Sequence, residues 1–169
     1  MHLSTVDTPT GPLTLVADDA GALRGAGFGS AAGLLARLGT PAVRQRSDLG
    51  AITQAVRAYL AGDLTALDEL PVEQPGGPFM QQAWKVLRTV PPGHPISYAD
   101  LAARAGSPRA VRAAGQACAR NVIAPVVPCH RVVRTDSSLG GYAYGLPVKR
   151  WLLDHESGSL RLTRPDQRS

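Results

Sequence analysis

A thiol, an imidazole and a guanidinium stand side by side at Cys129, His130 and Arg131, behind an apolar run that ends in Pro128. A thiolate is a strong nucleophile, and a neighbouring base or positive charge lowers the cost of forming it. His130 can act as that base directly or through one water. Adjacent side chains usually diverge, which favours the water-linked arrangement. A carboxylate behind the imidazole would fix its tautomer and stabilise the imidazolium. Asp136, Asp154 and Glu156 are the candidates. The other cysteine, Cys118, falls among alanines in a helical stretch, where packing is the expected use.

The residues around this cluster must hold it in place. Residues 124–127 read as an apolar strand leading to Pro128. Upstream, Ser97 can cap a helix running through Ala105 with Leu101 facing inward. Gly106-Ser107-Pro108 makes a tight turn, with Pro108 at the first position of a helix over 108–120. Two short helices joined by such a turn form a helix-turn-helix pattern. The second helix carries Arg109, Arg112 and Arg120, interleaved with Ala110, Ala113, Ala114 and Gly115. Small residues let a backbone approach a surface, and guanidinium forks grip phosphate. Residues 79–90 give a further helix, with Phe79, Ala83, Trp84 and Leu87 as its stripe and Pro91-Pro92-Gly93 as its stop.

The first part of the chain gathers no reactive side chains. Three short strands at 2–6, 13–17 and 22–28, separated by turn clusters, predict an antiparallel meander. A helix over 31–38 follows, then a second that Ser47-Asp48 can cap and that runs to Gly62. Glu73-Gln74-Pro75-Gly76-Gly77-Pro78 reads as a linker. The expected organisation is a scaffold domain over 1–72, a linker over 73–78 and a functional domain over 79–169.

Composition narrows the classes. The 169 residues are 44% hydrophobic and 18% charged, which excludes a wholly disordered chain. Lysine plus arginine (18) exceed aspartate plus glutamate (13) for a net charge of +5, and only Lys85 and Lys149 are lysines. No apolar run reaches the ~20 residues of a membrane-spanning helix. The first residues lack the pattern of an export signal, so a reduced thiol in the cytoplasm is expected. No phosphate loop, dinucleotide fingerprint or paired-cysteine metal pattern is present, so neither cofactor nor metal is expected.

Pro128-Cys129-His130-Arg131-Val132, following a helix-turn-helix, resembles the active-site signature of the O6-alkylguanine-DNA alkyltransferases, the methylated-DNA–protein-cysteine methyltransferases. Supporting segments are residues 79–84, Ile96-Ser97-Tyr98, residues 110–115, Asn121, Gly140-Gly141-Tyr142 and residues 149–153. The resemblance implies an N-terminal ribonuclease-H-like α/β domain and a helical C-terminal domain. It implies direct, irreversible, single-turnover transfer of an alkyl group from guanine O6, and from thymine O4, to Cys129 after base flipping. The implied partner is double-stranded DNA bound through its minor groove by a monomer, with cooperative binding open. His130 would be the water-linked base and Glu156 the carboxylate orienting it. Tyr98 would rotate the nucleotide and meet the base, and Asn121 would tie the recognition helix to the active-site segment. Arg112 would fill the gap left by the flipped base. Arg109, Ala113, Ala114, Gly115, Gln116 and Arg131 would meet DNA. Tyr98, Val132, Gly140, Tyr142, Ala143 and Tyr144 would line the base pocket.

Two positions depart from the pattern. Val122 stands where many members carry proline, which implies a less rigid turn. Tyr144 stands where a small residue is common, which implies a narrower pocket and poorer acceptance of benzyl adducts. Two alternatives remain at this stage. A non-catalytic alkyltransferase-like binder would lack the acceptor thiol. A transcription factor would leave the Pro-Cys-His-Arg segment without a purpose.

Overall fold

The computed structural model describes residues 1–40 and 42–158. The sequence after Glu156 is polar and basic and would add weak phosphate affinity, but from residue 159 onward it lies outside the described residues. The chain divides into two compact units, one of Met1–Gly76 with Asn121–Val127 and one of Gly77–Arg120 with residues from Pro128 onward.

The first unit is built on β1 (His2–Thr8), β2 (Gly11–Ala17) and β3 (Leu23–Phe28), paired antiparallel in sequence order. Thr8 Oγ1 accepts from Thr10 N at 3.1 Å and closes the first turn. Asp18 Oδ1 accepts from Ala20 N and Ala22 N, each at 3.0 Å, and closes the second. These side-chain bonds satisfy backbone donors that a tight turn leaves over. A fourth strand, β4 (Arg44–Gln45), runs parallel to β1, for the order β3-β2-β1-β4. Helix α1 (Ala31–Leu38) is capped by Ser30, whose hydroxyl accepts from Gly33 N at 3.2 Å. It ends at Gly39 with φ +65°, and its Leu34 packs on Leu3 and Val16. Helix α2 (Ala51–Leu60) begins at Gly50, which has φ +64°. Ser47 and Asp48 do not cap it: Asp48 Oδ1 is taken by Gly50 N at 2.8 Å in a turn just before the helix.

Asn121–Val127 completes this unit. Ile123 bridges Ala26 in parallel, with Ala26 N donating to Val122 O at 2.8 Å and Ala124 N to Ala26 O at 3.0 Å. The expected strand over 124–127 is instead a turn with a cis Ala124–Pro125 bond, closed by Val127 N on Ile123 O at 2.7 Å. The reason is that Pro125 and Pro128 lack the donors a strand ladder requires. Asn121, 1% exposed, organises the turn. Its Oδ1 accepts from Gln74 Nε2 and Ile123 N, each at 3.0 Å, and its Nδ2 donates to Val127 O at 2.7 Å. Val122 N donates to Gln74 Oε1 at 3.0 Å. A proline at 122 would remove that donor, so the departure from the family pattern comes with a fixed turn rather than a looser one.

In the second unit α3 (Pro78–Leu87) buries Ala83, Trp84, Val86 and Leu87. It stops three residues short of Val90, in agreement with the bias of a residue before proline against helical geometry. Trp84 Nε1 donates to Ala117 O at 2.9 Å. β5 (Ile96–Ser97) leads into α4 (Tyr98–Arg104), which Ser97 caps by accepting from Asp100 N at 3.0 Å. Helix α5 is Val111–Arg120, starting three residues later than expected. Ala110 N closes on Ser107 O at 2.8 Å, so Pro108 and Arg109 occupy the middle of a turn, where proline's fixed φ is equally at home. β6 (Val132–Val133) pairs parallel with β5, Ile96 opposite Val132. Helix α6 (Leu146–Ser157) ends at Gly158 with φ +81°. No helix among the described residues is long and apolar enough to cross a membrane.

Replacing Asn121 by Ala strands three buried backbone and amide groups at once. We expect a loss of about 2–4 kcal/mol of unfolding free energy in urea titrations. A loss below about 1 kcal/mol would show that the Gln74–Asn121 pair does not hold the turn.

Candidate active site

Cys129, His130 and Arg131 form one turn of 3₁₀ helix after Pro128 and are 6%, 0% and 4% exposed. The β5–β6 pairing that follows sets this turn beside the start of α4, where Tyr98 sits. The last turn of α6 supplies Glu156, which settles the choice among the three carboxylates. His130 Nε2 lies 2.8 Å from Glu156 Oε2. Arg131 Nε donates to Glu156 Oε1 at 2.8 Å, and Nη2 to Oε2 at 2.9 Å. Its remaining arm, Nη1, donates to Val90 O at 2.7 Å. Asp136 is exposed and accepts from Ser138 instead.

Charge follows from this geometry. Burial alone would raise the Glu156 carboxyl, but His130 and Arg131 hold it well below the usual carboxylate range, so it is ionised. An ionised carboxylate only accepts hydrogen bonds, so His130 carries its proton on Nε2. Nδ1 then holds the lone pair, and it is buried with no hydrogen-bond partner among the described residues. Burial pushes the imidazole below its ordinary value, against the pull of Glu156. His130 is therefore a neutral base at neutral pH, with its basic nitrogen unoccupied by protein.

Cys129 opens on a cavity of about 510 Å³. Of the residues expected to line it, Tyr98, Gly140, Tyr142 and Ala143 do so. Gly140 has φ +70°, and a Cβ there would lie 2.9 Å from Tyr98 Oη, so only glycine allows the loop this close. Burial raises the Tyr98 phenol, which keeps its proton at neutral pH. Val132 is fully buried and lies outside the lining; its carbonyl accepts from Lys149 Nζ at 2.6 Å. Tyr144 also lies outside it and meets Tyr142 edge-on, with ring centroids 5.5 Å apart.

One face of α5 forms another wall, made by Val111, Gly115, Cys118 and Ala119. Cys118 thus shares the cavity with Cys129 rather than serving only as packing, and burial raises its thiol. The 111, 115, 118 spacing of a helical stripe was visible in the sequence. Arg134 and Gly141 complete the lining and were not anticipated. Lys149 was also missed; its ammonium is fully buried behind the wall.

The outer face of α5 presents Arg112 and Gln116 to solvent, with Ala113 and Gly115 half-buried, and Arg109 is exposed in the preceding turn. Two expected DNA contacts are corrected. Ala114 is 0% exposed and points inward with Ala117, as its place in the helical period requires. Arg131 is enclosed, with Nε, Nη1 and Nη2 directed to Glu156 and Val90, so it offers nothing to phosphate. Asn121 bonds Val127, two residues before Cys129. No cluster of His, Cys, Asp and Glu that could hold a metal exists among the described residues.

Residues 78–158 match the family model of the 6-O-methylguanine DNA methyltransferase DNA binding domain. The chain is 37% identical over 158 residues to the methylated-DNA–protein-cysteine methyltransferase of Shigella flexneri, spanning 89% of this chain and 92% of that one. It is 40% identical over 163 residues to its counterpart from Mycobacterium tuberculosis, spanning 92% of each. The solved structure of Mycobacterium tuberculosis OGT in complex with DNA aligns with a TM-score of 0.79 at 35% identity over 94% of both chains. Identity sustained over nearly the whole of both partners leaves one conclusion: this chain belongs to the methylated-DNA–protein-cysteine methyltransferase family.

Proposed function

We propose that this protein repairs DNA by moving an alkyl group from guanine O6 onto Cys129 Sγ, once per molecule. The observation that carries this reading is the Cys129 thiol in the cavity wall, with the His130–Glu156–Arg131 set behind it. His130 Nδ1 accepts the thiol proton through one solvent molecule. The thiolate attacks the saturated carbon on O6; the carbon–sulfur bond forms as the carbon–oxygen bond breaks, and the electron pair passes to the base. Tyr98 passes its phenol proton to the ring of the leaving guanine, which departs neutral, and the proton held by His130 returns through solvent to the phenolate. The product is a thioether, no group in the site is placed to cleave it, and turnover ends. The same displacement serves an alkyl group on thymine O4.

A stacked base keeps its O6 substituent out of reach of a thiol set in a cavity, so the nucleotide must be extruded. In this reading α4, the 105–110 turn and α5 act as a helix-turn-helix, with Ala113 and Gly115 giving close approach in the minor groove. Arg112 occupies the vacated space, and Arg109 and Gln116 meet the backbone. The first unit acts as a ribonuclease-H-like scaffold, and residues 77–120 with those from 128 onward act as the DNA-binding and acceptor domain of a monomer working in the cytoplasm; the expected division into 1–72, a linker over 73–78 and 79–169 gives way to this one because 73–76 and 121–127 belong to the first unit. The solved DNA complex of the Mycobacterium tuberculosis relative supports DNA as the partner. Cys129 separates this reading from that of a binder that recognises alkylguanine without reacting.

Mixing the protein with an oligonucleotide containing O6-methylguanine should make the intact chain heavier by one methylene, in a one-to-one ratio, and Cys129→Ala should abolish the gain. A wild-type chain that binds the lesion and gains no mass would leave only the recogniser. Glu156→Gln should slow transfer by about 10²–10⁴-fold in single-turnover assays, because the imidazole loses its fixed tautomer. The pH profile follows from the same group. A base works only when unprotonated, so the rate should fall as pH drops through the His130 titration, with a midpoint below the ordinary ~6.5. A midpoint at or above that value would contradict the buried, neutral imidazole. Affinity for undamaged duplex should fall steeply with salt, and Arg109→Ala should flatten the slope by about one charge. A slope unchanged by salt would remove the phosphate contacts from the reading.

A further inference from the structure

We propose that Lys149 is the charge partner of the Cys129 thiolate, a positioning residue that makes the ionised thiol the charge-balanced state of the site. The proposal rests on the alkyl-transfer reading above.

Lys149 lies in the first turns of α6 and is 0% exposed. A buried charge is costly unless something compensates it. Its Nζ donates to Val132 O at 2.6 Å, to Leu139 O and to Gly141 O at 3.2 Å. Three acceptors match the three protons of an ammonium and exceed what a neutral amine can donate. Among the described residues no carboxylate lies within ion-pair distance of it. Glu156, the buried carboxylate of the site, is already shared by Arg131 and His130. With His130 neutral, the buried formal charges are Glu156 negative, Arg131 positive and Lys149 positive. The sum is one positive charge, and it vanishes once Cys129 has ionised and His130 has passed the thiol proton on to solvent.

The carbonyls that hold Nζ place it immediately behind the cavity wall. Val132 follows Cys129 by three residues, and Gly141 lines the cavity with it. The Tyr98 ring centroid is 6.0 Å from Nζ. The other groups facing the ammonium are the Cys118 thiol and the guanidinium of Arg134, and His130 feels its charge. Arg134 is exposed, so solvent screens it, whereas a field from a buried ammonium reaches the sulfur with little screening. The coupling is mutual: burial lowers the Lys149 ammonium, and the charge on Cys129 raises it. By holding Leu139 and Gly141, the same lysine keeps Gly140 against Tyr98.

The test titrates Cys129 in the full chain by its rate of reaction with iodoacetamide across pH, with the modified cysteine identified by peptide mass. Lys149→Met should move the midpoint upward by about one to two pH units, a ~10–100-fold slower reaction below the midpoint. Lys149→Arg, which retains the charge, should restore most of the shift. An unmoved midpoint in a folded Lys149→Met chain overturns the proposal. Should that variant not fold, the wild type answers through the reverse effect. Methylating Cys129 with methyl iodide should lower the Lys149 titration, followed by ¹⁵Nζ NMR, by about one unit while exposed Lys85 stays put. A Lys149 titration unmoved by methylation overturns the proposal as well. Neither arm uses a damaged guanine, so failure here and failure of the alkyl-transfer reading are separately visible.

Discussion

The arrangement of the second unit turns on one carboxylate. Glu156 is reached by an imidazole and a guanidinium from consecutive residues, and both of its oxygens are occupied. A buried carboxylate would otherwise be driven to take up a proton. The guanidinium keeps it ionised, the ionised oxygen dictates which imidazole nitrogen is protonated, and that leaves the other nitrogen basic. Arg131 thus acts two steps from the sulfur without approaching it. The same contacts join the 3₁₀ turn to α6 and, through Val90, to the end of the α3 segment. Removing one member of such a set leaves an uncompensated buried charge, which costs far more than the set contributes when intact.

The cavity is shaped by what is missing as much as by what is present. Glycine at 140 lets its loop lie against Tyr98, and small residues along α5 line another wall, leaving room between them. The aromatic contribution comes from Tyr98 and Tyr142, one beneath the loop and one within it. Tyr144, a departure from the family pattern, meets Tyr142 edge-on and is not among the residues that line the cavity.

Much of this was legible in advance, for physical reasons that differ from element to element. β1, β2 and β3 were readable because turn residues with local side-chain bonds bracket them. Ser97 announced α4 by its cap. The Cys129–His130 pair drew attention because adjacent reactive groups suggest chemistry, and the family resemblance selected Glu156. What escaped had no local signal. Strands of two residues, such as β4, β5 and β6, are defined by distant partners and have no periodicity to detect. The roles of Arg131 and Lys149 were hidden for a related reason. A basic residue reads as solvent-facing until the acceptors that enclose it, Glu156 for one and three carbonyls for the other, are brought in by the fold. Ala114 and Pro108 were misread by a few residues of helical phase and boundary, which is enough to turn an outward contact inward.

The return of Asn121–Val127 to the first unit has a bearing on how the chain is made. The β3 strand and Gln74 emerge from the ribosome early, but Ile123 and Asn121, which complete their hydrogen bonding, are translated only after α3, α4 and α5. The amino-terminal unit therefore cannot close as soon as its own stretch of message has been read. Its last piece arrives two residues before Cys129, so the final backbone partner of the amino-terminal unit and the Cys129 thiol are translated together.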